Sequence, residues 1–182
     1  MRRLILFRHG KAEIAGVVGG DKARRLADRG RLDVGVTAAW LLAAGFMPDL
    51  VLVSSASRTR ETWDCIAATF SAAKVEILDD LYLAGPDTIG NLVEAISEDF
   101  ETVMVVGHNP GLQDLSVCLA TEGEAPEAQI SHIEEGFPTA AAVAFRRDDR
   151  GMVRLESIYE PPRGTKEQPR WTFLAPGAGA KA

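Results

Sequence analysis

The sequence predicts an α/β fold with a mostly parallel sheet, and three observations carry that prediction. Three uninterrupted apolar runs, Leu4-Ile5-Leu6-Phe7, Leu50-Val51-Leu52-Val53 and Val103-Met104-Val105-Val106, lack the polar alternation of a strand with one face in water. They read as strands buried on both faces, as in a parallel sheet with helices on either side. Between and after them the apolar residues recur every three or four positions, which is the helical period. The combination is a three-layer α/β/α sandwich.

Each element follows in order. After the first run, a helix is expected from Asp28 to Ala44, with Trp40 and its apolar neighbours inward and Gly45 as the stop. Behind the second run, Trp63, Ile66, Ala67 and Phe70 share one helical face, and Val75 to Leu78 supply a short strand. Ile89, Leu92, Val93 and Ile96 predict a helix before the third run, and Leu112, Leu115 and Leu119 predict one after it. Ala141 to Phe145 and the alternating Met152 to Ile158 flank the turn-rich segment from Arg146 to Gly151, the pattern of an antiparallel hairpin at the sheet edge. Residues 120 to 138, with Glu122, Glu124, Glu127, Glu134, Glu135 and two prolines, read as a long exposed acidic loop. From Pro161 the chain mixes Pro, Gly and Lys around Trp171 and Phe173, and Ala175 to Ala182 reads as disordered. One domain over residues 1–160 and a partly disordered tail over 161–182 are therefore expected.

A length of 182 residues is that of about one domain, and 46% hydrophobic with 25% charged residues is an ordinary globular composition. No apolar stretch approaches the ~18 to 20 residues of a membrane span, and Met1-Arg2-Arg3 leads into only four apolar residues. Neither a membrane anchor nor a secretory signal is expected, and the chain is read as cytoplasmic. Cys65 and Cys118 fall in apolar helical patterns without metal or disulfide spacing, so they are expected to be buried free thiols.

The net charge of −6 is unevenly spread. Residues 1–60 carry 11 basic and 5 acidic groups, residues 61–135 carry 1 and 16, and residues 136–182 carry 8 and 5. Such a chain is poorly suited to nucleic acid, which demands a basic face, and well suited to focusing a small anion into one cleft. A clustered but merely solvated surface is the plainer reading of the counts alone.

In open α/β sheets ligands bind at the carboxyl ends of the strands. The first run is followed by Arg8-His9-Gly10-Lys11, the second by Ser54-Ser55-Ala56-Ser57-Arg58, and the third by Gly107-His108-Asn109-Pro110 at a helix start. Singly, each has an ordinary structural reading; His132, in the acidic loop, keeps it. Their coincidence at equivalent topological positions does not. Arginine forks grip tetrahedral oxyanions, and a neutral imidazole is a competent nucleophile near pH 7, so the set fits phosphoryl transfer. Gly16, Gly19 and Gly20 do not form a dinucleotide fingerprint, Lys22 is not followed by Ser or Thr, and no G-x-S-x-G occurs. Too few ligands accompany either histidine for a metal site, so no metal or other cofactor is expected.

Leu6-Phe7-Arg8-His9-Gly10 resembles the R-H-G signature of the histidine phosphatase superfamily, which has the phosphoglycerate mutase fold. Arg8 to Ala12, Asp21 to Leu26, Val53 to Thr62 and Val106 to Leu112 are most similar to its SixA-type phosphohistidine phosphatases. The resemblance implies that His9 attacks phosphorus in line and is transiently phosphorylated. It implies that Arg8, Arg58 and His108 surround the phosphoryl oxygens, that Arg24 lies near the same pocket, and that Asn109 and the helix start beyond it orient that side. Arg25 and Ala27 stand where many SixA-type sequences have Pro and Thr.

Two departures from the larger relatives shape the expected substrate. Residues 59 to 107 leave no room for a lid domain, so an open site facing a phosphorylated side chain on another protein is expected, such as a phosphotransfer domain carrying phosphohistidine. Ester-cleaving relatives use an acidic proton donor; here Asp79, Asp80 and Asp87 lie in the corresponding segment, and Asp21 is a further candidate. A P–N bond releases imidazole, which needs less protonation help than an alkoxide. Two other readings remain at this point: a phosphatase for small phosphomonoesters or acyl phosphates, and a non-catalytic phosphate-binding module.

Overall fold

The structure is a computed structural model that describes residues 1–14, 18–96, 99–162 and 170–173. The three apolar runs become strands: β1 (Arg3–Arg8), β2 (Leu50–Ser54) and β4 (Thr102–Gly107), with β3 (Lys74–Leu78) between the last two in sequence. Helices α1 (Asp28–Ala43), α3 (Pro86–Ile96) and α4 (Gly111–Glu122) fall where the helical period places them, whereas α2 (Ser57–Ile66) ends before Ala67 and Phe70, which lie in the turns beyond it. Short 3₁₀ turns occupy Asp21–Ala23 and Asp79–Leu81. Strands β5 (Ala142–Arg147) and β6 (Val153–Glu160) form the expected hairpin, and β7 (Arg170–Phe173) pairs antiparallel outside it. The sheet runs β3-β2-β4-β1-β5-β6-β7, parallel from β3 to β1 and antiparallel beyond.

Strand alternation explains why the runs are wholly apolar. Leu4 and Leu6 point to a core shared with Ile89 and Val93 of α3, Leu112 and Leu115 of α4, and Ile133. Ile5 and Phe7 point the other way, to Val34, Ala38 and Leu41 of α1 and Ile66 of α2. Ile5, Leu6 and Phe7 are all fully buried, and each such side chain stabilises the fold by about 1.5–3 kcal/mol.

Three expectations are corrected. The segment read as an acidic loop contains α5 (Glu127–Glu135): Pro126 precedes it, and its single apolar face carries Ile130 and the buried Ile133. His132 on this helix meets the buried Glu160 of β6 at 3.1 Å. Cys65 and Cys118 are exposed on the outer faces of α2 and α4, because the inward stripe of each helix is narrower than its apolar composition implies. The tail contributes β7; the disorder expected for 175 to 182 lies outside the described residues. No described helix is long and apolar enough to cross a membrane.

The register positions the site. Arg8 pairs with Gly107 across β1 and β4, and Val53 with Val106 across β2 and β4, so the residues that follow the three runs emerge side by side. Backbone contacts then fix the loops. A Cβ on Gly30 would lie 2.2 Å from the Lys11 carbonyl, so only glycine lets α1 press against the loop that follows β1. A Cβ on Gly111 would lie 1.9 Å from the Ala84 carbonyl, where the approach to α3 meets the start of α4.

Candidate active site

His9 is the first residue beyond β1 and is nearly buried. Its Nδ1 lies 2.7 Å from the carbonyl oxygen of Gly10. A carbonyl only accepts, so Nδ1 carries the hydrogen and the Nε2 lone pair is available. Arg58 Nε, 3.3 Å from Nε2, donates to that lone pair. Burial, with the charges of Arg58, Arg8 and Arg24, lowers the His9 pKa to about 4. At neutral pH the ring is therefore uncharged, the state a nucleophile requires.

His108 opens the turn after β4, its ring centre 5.2 Å from that of His9. Its Nε2 sits 2.7 Å from the hydroxyl of Ser54, at the end of β2. Burial and the neighbouring His9 and Arg58 bring its pKa to about 3. Among the described residues its buried Nδ1 has no partner, and neither do the buried Arg8 Nε and Asn109 Oδ1. An unpaired buried polar atom costs about 1–3 kcal/mol, and such atoms gathered in one place mark a ligand site.

Arg58 lies in the first turn of α2 and is 3% exposed. Ser54, Ala56 and Arg58 carbonyls accept the hydroxyls of Thr59 and Thr62, locking that turn, while Thr62 Oγ1 accepts the Gly10 amide at 3.1 Å. The S-x-x-x-R-x-x-x-T spacing thus ties the arginine helix to the histidine loop. Arg58 donates from Nη1 to the Asp21 carbonyl at 2.8 Å and from Nη2 to Asp21 Oδ2 at 3.0 Å. Arg8 Nη1 donates to the Phe137 carbonyl at 2.5 Å. Asn109 Nδ2 donates to the same carbonyl at 3.2 Å and to Gln113 Oε1 at 2.8 Å.

The four proton-donor candidates separate cleanly. Asp21 accepts from Arg24 Nη1 at 3.0 Å, from Arg58, and from the Tyr82 hydroxyl at 2.9 Å. These bonds, Arg24's foremost, pull its pKa to about 2, so it is a carboxylate at neutral pH. Asp79 is paired with Lys22 at 2.7 Å, which holds it below the usual carboxylate range. Asp80 and Asp87 are exposed and bond to none of these groups. Arg24 reaches the cluster only through Asp21, its Nε being held by the Glu13 carbonyl at 2.9 Å.

Sequence reasoning missed three contributors. Tyr82 stands edge-on to His108 at 5.7 Å while its hydroxyl holds Asp21. Gln113 Nε2 grips the Ile133 and Glu134 carbonyls at 3.0 and 2.9 Å, fastening α5 beside Asn109. The Phe137 carbonyl is backbone, which no side-chain motif reveals.

Residues 4–82 match the histidine phosphatase superfamily (branch 1), and they contain Arg8, His9, Asp21, Arg24 and Arg58. The chain belongs to the histidine phosphatase superfamily. An uncharacterized protein of Mycobacterium tuberculosis is 32% identical over 140 residues, 77% of this chain and 86% of that protein. SixA of Agrobacterium tumefaciens shares the structure with a TM-score of 0.77 at 27% identity, covering 88% of this chain and 98% of that one. A protein histidine phosphatase SixA complexed with tungstate has the same fold, with a TM-score of 0.67 at 22% identity over 85% of this chain and 94% of its own. Within the superfamily this phosphatase is of the SixA type.

Proposed function

We propose that this histidine phosphatase removes the phosphoryl group from phosphohistidine on a partner protein, without a metal ion, in the cytoplasm. The observation that carries the reading is the setting of Asp21, the one candidate donor that touches the cluster: its carboxylate accepts from Arg24, Arg58 and the Tyr82 hydroxyl, and these bonds hold its pKa low, at about 2. A site without a protonated carboxyl handles a leaving group that leaves unaided, and imidazole is one.

His9 Nε2 attacks phosphorus opposite the leaving nitrogen. The P–N bond of the substrate breaks as the new P–Nε2 bond forms, and the substrate ring, its other nitrogen already carrying a proton, keeps the bonding pair and departs as neutral imidazole. Arg8, Arg58 and His108 Nδ1 donate to the three equatorial oxygens, where each fixed donor contributes about 2–4 kcal/mol in the transition state. Water then attacks phosphorus, the P–Nε2 bond breaks, and orthophosphate leaves with the proton released to solvent. Among the described residues the chain between α2 and β4 forms β3, a 3₁₀ turn and α3, which supports a site open to a protein-borne side chain. Tyr82 and Asn109 flank the cluster as orienting groups rather than reacting ones.

The test is phosphate release by wild type and His9→Ala from a phosphohistidine-bearing phosphotransfer domain, phosphoramidate and several phosphomonoesters, with and without EDTA. Release from the P–N substrates alone, insensitive to EDTA and abolished in His9→Ala, is the expected result. Equal or faster hydrolysis of the esters would move the substrate to small molecules, and full activity of a folded His9→Ala protein would falsify the covalent route.

A further inference from the structure

Arg58 presents three donor directions, and in the structure two of them are spent on one residue. Nη1 holds the Asp21 carbonyl at 2.8 Å and Nη2 the Asp21 carboxylate at 3.0 Å, while Nε faces His9 Nε2 at 3.3 Å. Nε and Nη2 form the side-on edge of a guanidinium, the edge that grips two oxygens of a carboxylate or phosphate at once. Asp21 therefore places an anionic oxygen beside the nucleophilic nitrogen, where a phosphoryl oxygen bound to that edge must sit. We infer that Asp21 is an internal competitor for the phosphoryl site: its carboxylate occupies the binding edge of Arg58 and sets a low affinity for free phosphate.

The inference rests on the reading of the cluster as a phosphoryl site. Two features make the exchange feasible. Asp21 Oδ1 keeps Arg24 and Oδ2 keeps the Tyr82 hydroxyl when Nη2 turns to a ligand, so the carboxylate is never stripped of partners. Its side chain is 46% exposed, which leaves it room to draw back. Without Asp21, Arg8 and Arg58 would face orthophosphate with no opposing charge beside them, and the product would be held tightly. With it, the cluster favours a phosphoryl group that arrives on a docked protein over the free anion that leaves.

The competitor and a plain positioning role for Asp21 predict opposite signs. Binding of orthophosphate and of tungstate is measured by isothermal titration calorimetry on wild type, Asp21→Asn and Asp21→Ser, each confirmed folded by circular dichroism. Both substitutions remove the charge, so both are expected to tighten orthophosphate about tenfold or more, with stronger product inhibition of turnover. Weaker or unchanged binding in the two variants would overturn the inference and leave Asp21 as a support for Arg58. Failure of the wild type and of both variants alike to bind either oxyanion would overturn the phosphoryl-site reading as well, so the two failures are told apart by whether any of the three proteins binds.

Discussion

His9 and His108 are neutral because burial and surrounding arginines penalise the charged ring, and this fixes the sign of the pH response. Their pKa values, about 4 and about 3, lie below the ordinary 6.5. As pH falls the unfolded chain takes up protons first, so stability is lost progressively from about pH 6.5 down through 4, with no contribution above 6.5. In ¹³C-histidine NMR, assigned with His9→Ala and His108→Ala, both Cε1 signals are expected to keep their neutral shifts at pH 5.5. Titration of either near 6.5 would show that the ring is solvated and the lone-pair argument wrong. A second residue prediction concerns Ser54, fully buried and bonded to His108 Nε2 at 2.7 Å. Ser54→Ala should cost about 1 kcal/mol of stability and lower kcat/KM roughly tenfold by freeing the ring. Unchanged kinetics in the folded variant would mean that Ser54 does not orient His108.

At the scale of elements, what the sequence made legible and what it hid divide along physical lines. The three inner parallel strands, β1, β2 and β4, were legible because burial on both faces removes polar residues from their centres, as in β2, where Leu50 to Val53 have no exposed surface. That Arg8, Arg58 and His108 come together was legible because each stands a few residues beyond such a run. Helix α5 was hidden because only one face meets the core and the rest is acidic, and β7 was hidden because a four-residue strand gains its pairing from β6 rather than from its own composition. Tyr82 was hidden because its role depends on the fold bringing the Asp79–Leu81 turn against Asp21. The loop carrying His9 is set by a close approach that can be tested directly. Gly30→Ala puts a methyl group 2.2 Å from the Lys11 carbonyl, so α1 must move, at a cost of about 1–3 kcal/mol. The urea midpoint should fall accordingly, and kcat/KM with it, since Gly10 and Lys11 follow the nucleophile. An unchanged midpoint would show that the interface yields without strain.

For the molecule as a whole, the sheet separates chemistry from edge protection. The cluster lies at the carboxyl ends of β1, β2 and β4, whereas β7 closes the far side, two strands beyond β5. The opposite edge, β3, carries a Lys74–Glu76 ion pair at 2.7 Å, and charges of this kind discourage a second sheet from adding on. Strand β6 is eight residues long with Leu155, Ile158 and Tyr159 buried, so uncovered it would offer a long ladder of unpaired backbone groups to another copy. A chain truncated after Pro162 is therefore expected to keep kcat/KM within about twofold, because distant sites act independently. It should also self-associate more strongly than the full chain as concentration rises in sedimentation velocity. A truncated chain that stays monomeric would mean that β7 adds pairing without guarding the edge; one that loses activity in proportion to its stability would tie the C-terminal strand to the site through β5 and β1.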